Sequence, residues 1–132
     1  MILPIKQLLG VKTLGFIAVS YSVFITVLML LPVSTEKTLH IPFFDKLIHA
    51  VIYIVFVLVW YSFFRKFKSK MRGIYIIIPL VLFIYGIVIE VLQGSFVVSR
   101  SQDIWDVVAN GTGIIIGIVL FYKLNTIFLF KK

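Results

Sequence analysis

Four long apolar runs, separated by short polar stretches, dominate the pattern of the chain. Each run is close to twenty residues or longer, and at roughly 1.5 Å per residue such a helix crosses a hydrocarbon core of roughly 30 Å. The pattern predicts four membrane-spanning helices at about residues 13–31, 43–64, 73–93 and 101–122. The expected fold is an all-α integral membrane bundle, formed by a single domain over residues 1–132.

Local signals refine the predicted helix boundaries. Pro79 falls in the first third of the third run and predicts a kink there. Gly94 follows that run and suits the position just past a last helical turn. Ser99 and Gln102 have the spacing of a capping box at the start of the fourth helix, with Ser101 as an alternative cap.

Composition supports a membrane protein and excludes several other classes. The chain of 132 residues is 61% hydrophobic with a mean hydropathy of +1.14, well above soluble domains. It contains no cysteine, which excludes disulfides, thiolate metal sites and a cysteine nucleophile. The net charge of +8 comes mostly from basic residues that flank the apolar runs, which indicates membrane topology rather than nucleic-acid binding.

The basic residues also predict the orientation of the bundle. Ten of the 13 lysines and arginines lie at the two chain ends and in segment 65–72, whereas Lys37, Lys46 and Arg100 lie on the other side. Because basic loops stay in the cytoplasm, both termini are expected to be cytoplasmic. All five acidic residues then fall in the outer half of the protein.

Polar residues from three predicted helices fall at one depth. Counting from the inner helix ends, His49 lies ~22 Å up, Glu90 and Asp106 ~25 Å, and Asn110 ~20 Å. Helical spacing also places the polar residues of each helix on one face. These sets are Asp45, His49 and Tyr53; Glu90 and Gln93; and Asp103, Asp106, Asn110, Gly113 and Gly117. We therefore expect a single polar layer in the outer third of the membrane.

Electrostatics predict partners within this layer. Glu90 lies near the negative C-terminal end of its helix, so it should be protonated or paired with Arg100, Lys46 or a protonated His49. The negative charge of Asp103 is favoured by the positive end of the helix dipole at the start of the fourth helix. Asp45, one turn before His49, would favour the imidazolium or orient a neutral ring.

Structural roles are open for the same residues. Asp45 could cap its helix, Lys46 could extend to lipid headgroups, and His49 and Tyr53 could hydrogen-bond to neighbouring helices. The whole layer could be a polar staple for the bundle. Gly113 and Gly117 have the spacing that permits close packing of membrane helices.

Taken together, these residues resemble the VanZ-like family of small bacterial membrane proteins. Three blocks carry the resemblance, in order along the chain: D-K-x-x-H-x-x-x-Y at 45–53, E-x-x-Q at 90–93, and R-x-x-D-x-x-D-x-x-x-N-x-x-G-x-x-x-G at 100–117. The resemblance implies a multi-pass protein of the bacterial plasma membrane. The family's namesake is associated with low-level resistance to teicoplanin, a lipid-tailed glycopeptide antibiotic, but the resemblance implies no molecular activity.

The favoured hypothesis is a cell-envelope or resistance-type protein that binds an amphiphile at the outer leaflet. Membrane lipids are the expected partners, with a lipid-linked cell-wall precursor or a lipoglycopeptide as ligand. Arg100, Lys46 and the first N–H groups of the fourth helix could bind phosphate or carboxylate, and the acids could bind amines or sugar hydroxyls. The expected ligand-binding residues are Lys46, Tyr53, Gln93, Arg100, Asp103, Asp106 and Asn110.

An intramembrane enzyme acting on a lipid-linked substrate is the alternative, with His49, Asp45 and Glu90 as catalytic acid–base residues. A proton- or ion-coupled carrier is a third hypothesis, and with four helices it would require a homodimer. No cofactor is expected. Although carboxylates and a histidine could hold a divalent metal, no compact ligand motif such as H-E-x-x-H is present, so no metal is expected either.

Overall fold

The computed structural model describes residues 10–32, 43–67, 73–97 and 103–130. These residues form four helices and no strands: α1 (Val11–Leu30), α2 (Phe44–Phe64), α3 (Ile74–Phe96) and α4 (Ile104–Phe130). All four helices are long and apolar enough to cross a membrane. The predicted all-α membrane bundle is therefore confirmed.

The end of α3 and both ends of α4 differ from the predicted boundaries. The α3 helix continues to Phe96, so Gly94 lies inside it and the prediction of a helix end at that glycine is wrong. A continuing helix keeps its backbone N–H and C=O groups hydrogen-bonded. In lipid this need outweighs the low helix propensity of a glycine. The α4 helix begins at Ile104, and the predicted caps at 99–102 lie outside the described residues. It also continues beyond the predicted end at residue 122, because no glycine or proline interrupts the run up to Phe130.

The α2 helix is the centre of the bundle, because it contacts each of the other three helices and makes the most extensive contacts with both α1 and α4. Its inward face is aromatic, and Tyr53, Phe56 and Tyr61 are almost completely buried. The Phe56 ring meets the rings of Tyr21 and Tyr85 edge to face, at centroid distances of 5.0 Å and 5.5 Å. Such contacts favour one helix arrangement over others because their geometry is specific.

The α2 and α4 helices pack against each other more extensively than any other pair, and two glycines allow it. A Cβ atom at Gly113 would lie 2.3 Å from the backbone oxygen of Ala50, and one at Gly117 would lie 2.9 Å from Val57 Cβ. Neither position has space for a side chain. The predicted role of these glycines in close helix packing is confirmed.

Hydrogen bonds between helices fasten α1 to α2 and to α3. The Tyr21 hydroxyl donates to the Ile52 carbonyl at 2.9 Å, and Thr26 and Tyr85 share a hydrogen bond of 2.7 Å. The outer surface of the bundle is apolar, with Phe16 74% and Ile76 70% exposed. A surface of this kind needs lipid around it, in agreement with the length of the helices.

Candidate functional site

Polar residues from α2, α3 and α4 meet at one end of the bundle, where α2 and α4 begin and α3 ends. We call this end the polar end. The residues brought together are Asp45, Lys46, His49, Glu90, Asp103, Asp106 and Asn110. They span 66 positions of sequence, from 45 to 110, so only the packing of the three helices unites them.

Lys46 is the cation at the outer side of this group. Its ammonium nitrogen lies 2.6 Å from Asp45 Oδ2, 2.5 Å from Asp103 Oδ2 and 3.2 Å from Asp106 Oδ1. We call these three acids the outer triad. The side chain of Lys46 therefore joins the start of α2 to the start of α4 instead of extending to lipid headgroups.

Asp103 occupies the position just before α4 and caps that helix. Its Oδ1 accepts a hydrogen bond from the Trp105 N–H at 2.9 Å, as an N-cap residue does. Its own backbone N–H donates to Glu90 Oε1 at 2.8 Å, which ties the end of α3 to the start of α4. The Lys46 ammonium, together with the Trp105 N–H, holds the pKa of the Asp103 carboxyl below its usual range.

A second, more deeply buried group lies beneath the first and is called the inner triad: His49, Glu90 and Asp106. One ligand-type atom from each of the three residues lies within 4.8 Å of the other two. His49 is only 4% exposed and Glu90 only 5%. His49 Nε2 lies 3.7 Å from Asp106 Oδ2, so α2 and α4 both contribute to the group, and α3 adds the glutamate.

The imidazole of His49 has partners other than the expected one. Its Nδ1 lies 3.0 Å from the amide oxygen of Asn110, and its Nε2 faces Asp106, while Asp45 binds Lys46. The expected pairing of Asp45 with His49 is thus replaced, because α4 presents an amide and a carboxylate at the level of the ring. With the Asn110 oxygen as acceptor, Nδ1 carries a hydrogen, and Nε2 is the ring atom that faces Asp106.

Glu90 is only half satisfied by the described residues. Its Oε1 accepts the Asp103 N–H, whereas its Oε2 is buried with no hydrogen-bond partner among them. Within the described chain, no lysine or arginine lies within ion-pair distance of this carboxylate. The predicted counter-charge Arg100 lies outside the described residues.

Gln93 and Tyr53 lie close by but face other parts of the bundle. The Gln93 amide donates to the Met29 carbonyl of α1 at 2.7 Å and is 2% exposed, so it fastens helices together. The Tyr53 hydroxyl is fully buried without a hydrogen-bond partner in the described residues. It abuts Gly86, where a Cβ atom would lie 2.8 Å from the hydroxyl and 3.0 Å from Asn110 Nδ2. Sequence reasoning missed Gly86, although it lies one helical turn from Glu90 on the same face.

A groove of about 300 Å³ opens between α1, α2 and α3, away from the polar end. Its walls are mainly apolar and include Phe56, Trp60, Ile78 and Leu82, and the polar side chains that line it are Ser22 and Tyr85. The groove supplies no charged group. Unlike this groove, the polar end holds groups that can carry acid–base chemistry or bind a charged or hydroxylated group.

Comparison with known proteins agrees with the motifs. Searches of curated proteins and of solved structures find no match. A family model described as VanZ/LLP1 matches residues 8–129, which is nearly the whole chain. With four helices suited to crossing a membrane, the chain is a multi-pass membrane protein that belongs to the VanZ/LLP1 family.

Proposed function

We propose that the polar end binds the polar head of an amphiphile at the outer leaflet of the bacterial plasma membrane. The ligand would be a lipid-linked cell-envelope precursor or a lipid-tailed glycopeptide of the teicoplanin type. By binding this ligand, the protein would protect the cell envelope. The observation that carries the proposal is the meeting of four carboxylates, an ammonium, an imidazole and an amide from three helices at one end of an apolar bundle. Ionisable groups within membrane helices usually mark such sites.

The pairing pattern favours amines and sugar hydroxyls over phosphate as the groups bound. Lys46 already contacts all three acids of the outer triad, and the Asp103 carboxylate already accepts the Trp105 N–H at the start of α4. Lys46 and the first N–H groups of α4 were two of the three expected phosphate-binding groups, and the third, Arg100, lies outside the described residues. Among the described residues, carboxylates outnumber the ammonium four to one, so the site attracts hydrogen-bond donors and cations.

Tryptophan fluorescence offers a direct test, because Trp105 is 65% exposed at the polar end. The chain has two tryptophans, so Trp60→Phe leaves Trp105 as the only indole reporter. Titrating this variant in detergent with teicoplanin should change the emission saturably. A glycopeptide that lacks the lipid tail should bind at least tenfold more weakly, since each buried methylene contributes roughly 0.8 kcal/mol.

Site variants decide whether the polar end is responsible. In the Trp60→Phe background, Asp106→Asn and Glu90→Gln should weaken teicoplanin binding, whereas Lys123→Gln at the opposite end of α4 should leave it unchanged. A second arm replaces teicoplanin with a polyisoprenyl-pyrophosphate-linked sugar. If both carboxylate variants bind both ligands as tightly as the parent does, the proposal is wrong.

One observation favours an intramembrane enzyme as the second candidate. The buried His49 ring lies between the Asn110 amide and the Asp106 carboxylate, which is the arrangement of a held acid–base imidazole. In this reading, Asp106 takes the role that the sequence suggested for Asp45. Turnover of a lipid-linked substrate that rises and falls with pH, and that His49→Gln abolishes, would support it. Binding without turnover would favour the first candidate.

A further inference from the structure

We propose that the inner triad of His49, Glu90 and Asp106 is a binding site for a divalent transition-metal cation. Its donor set would be one imidazole nitrogen and two carboxylate oxygens, which suits Zn²⁺ or Mn²⁺. Three protein ligands with an open fourth position are the pattern of metal sites that act on a further molecule. The inference does not depend on the amphiphile-binding function proposed above.

The first support is geometric. Donor atoms bound to one ion at about 2.1 Å lie about 3.0–4.2 Å apart in octahedral or tetrahedral geometry. His49 Nε2 and Asp106 Oδ2 are 3.7 Å apart, and one ligand-type atom from each of the three residues lies within 4.8 Å of the other two. These separations are close to those of three donors around a single ion.

The second support is the hydrogen bonding behind the donors. Metal-binding histidines almost always donate their other ring N–H to an oxygen acceptor, which fixes the tautomer. His49 does this, since Nδ1 donates to the Asn110 amide oxygen at 3.0 Å. His49 Nε2 then faces Asp106 Oδ2 at 3.7 Å, where a cation or a proton between the two atoms would be bound by both. Glu90 is held in the same way, by the Asp103 N–H on Oε1.

The third support is an unpaired buried oxygen. Glu90 is 5% exposed, and its Oε2 has no hydrogen-bond partner among the described residues. A carboxylate oxygen left alone in a membrane interior is costly, and a metal ion removes that cost. Asp45 and Asp103 show the contrast, because the Lys46 ammonium already lies beside both carboxylates.

The test uses the full chain in detergent, purified without a polyhistidine tag, stripped with a chelator and titrated with Zn²⁺ or Mn²⁺. The expected result is about one ion per chain and a higher unfolding temperature with metal. His49→Gln, Glu90→Gln and Asp106→Asn should each weaken binding at least 100-fold. Asn110→Ala should weaken it by roughly 10–100-fold, as for other residues that orient a metal ligand. Asp45→Asn, which changes only the outer triad, should bind metal as the wild type does.

A variant that gains a metal-dependent absorption band distinguishes lost metal binding from poor folding. The chain has no cysteine, so His49→Cys would introduce its only thiol. Titrated with Co²⁺, this variant should develop a thiolate-to-cobalt charge-transfer band that the wild type lacks. Asp45→Cys should not develop it.

Three results would overturn the assignment: a folded wild type that retains no metal, unchanged affinity in both His49→Gln and Glu90→Gln, or a loss in Asp45→Asn equal to that in Glu90→Gln. Teicoplanin binding by the chelator-treated protein tests the proposed function separately. Failure of one proposal is therefore distinguishable from failure of the other.

Discussion

The side chains at the polar end form two neighbouring charged groups, the outer triad and the inner triad. In the outer triad, the Lys46 ammonium is shared by Asp45, Asp103 and Asp106, whose side chains are 53%, 34% and 13% exposed. Exposed ion pairs contribute little to stability, whereas breaking a buried pair is costly. The contribution of Lys46 should fall between these limits, because its own side chain is 23% exposed.

Replacing Lys46 tests this estimate. Lys46→Gln should lower the free energy of unfolding in detergent by about 1–3 kcal/mol, because three carboxylates then face one another without a cation. Adding Asp103→Asn to this variant should restore part of the loss, since it removes one of the repelling charges. An equal unfolding temperature for Lys46→Gln and the wild type would show that the ion pairs carry no net stability.

The ion pair of Asp103 predicts how the stability of the protein depends on pH. Lys46 and the Trp105 N–H lower the pKa of its carboxyl in the folded protein, so the ionised form stabilises the fold. This contribution is fully present above the unfolded-state pKa of about 3.9 and is lost as the pH falls through the lower folded-state pKa. Asp103→Asn is a matched control, because asparagine caps a helix equally well without the charge.

The measurement is the unfolding temperature of the wild type and Asp103→Asn across acidic pH. The wild type should be the more stable protein at pH values well above about 4, and its advantage should shrink as the pH is lowered below that value. A difference between the two proteins that stays constant over this range would contradict the assigned ion pair.

At the scale of elements, the α2–α4 pair determines where the polar groups meet. Gly113 and Gly117 let α4 lie directly against the α2 backbone, and this contact places Asp106 and Asn110 beside His49. Gly86 does the same for α3, since it leaves room for Tyr53 and Asn110. The small residues thus position the polar ones, although they carry no chemistry of their own.

Two glycines of α4 provide a matched test. Gly113→Ala would place its Cβ 2.3 Å from the Ala50 oxygen, so the helices must separate, and we expect a loss of about 1–3 kcal/mol together with weaker binding at the polar end. Gly111→Ala meets only the movable Phe83 ring, at 3.3 Å, and alanine favours a helix. It should be neutral or slightly stabilising. Equal unfolding temperatures for the two variants would contradict the close α2–α4 contact.

The whole molecule raises the question of which side of the membrane the polar end faces. The distribution of basic residues predicts the outer side, with both termini cytoplasmic. Because the chain lacks cysteine, single substitutions can report on this. Ser95→Cys lies exposed at the polar end and Gly73→Cys exposed at the opposite end. In intact spheroplasts a membrane-impermeant maleimide should label the first and not the second, and the reverse pattern would invert the predicted topology.

The length of the apolar runs alone was enough to determine that this is a helical membrane protein. In lipid, four runs of about twenty apolar residues are expected to form helices, because only a helix satisfies all its backbone hydrogen bonds within its own segment. The existence and approximate bounds of all four helices, and the residues that line the polar end, follow from run length and helical spacing. The end of α3 does not, since Gly94 was a weaker signal than the demand for backbone hydrogen bonds.

Tertiary structure alone decided which polar residues pair. Spacing along α2 suggested Asp45 for His49, but α4 brings Asp106 and Asn110 to the ring instead, and Lys46 takes Asp45. Helical periodicity tells which residues share a face, whereas a partner on another helix depends on how close and at what level the two backbones lie. Glycines such as Gly86 and Gly113 set that closeness. The division of the polar end into an outer triad around Lys46 and an inner triad around His49 and Glu90, with Asp106 in both, therefore belongs to the fold, not to any segment of sequence.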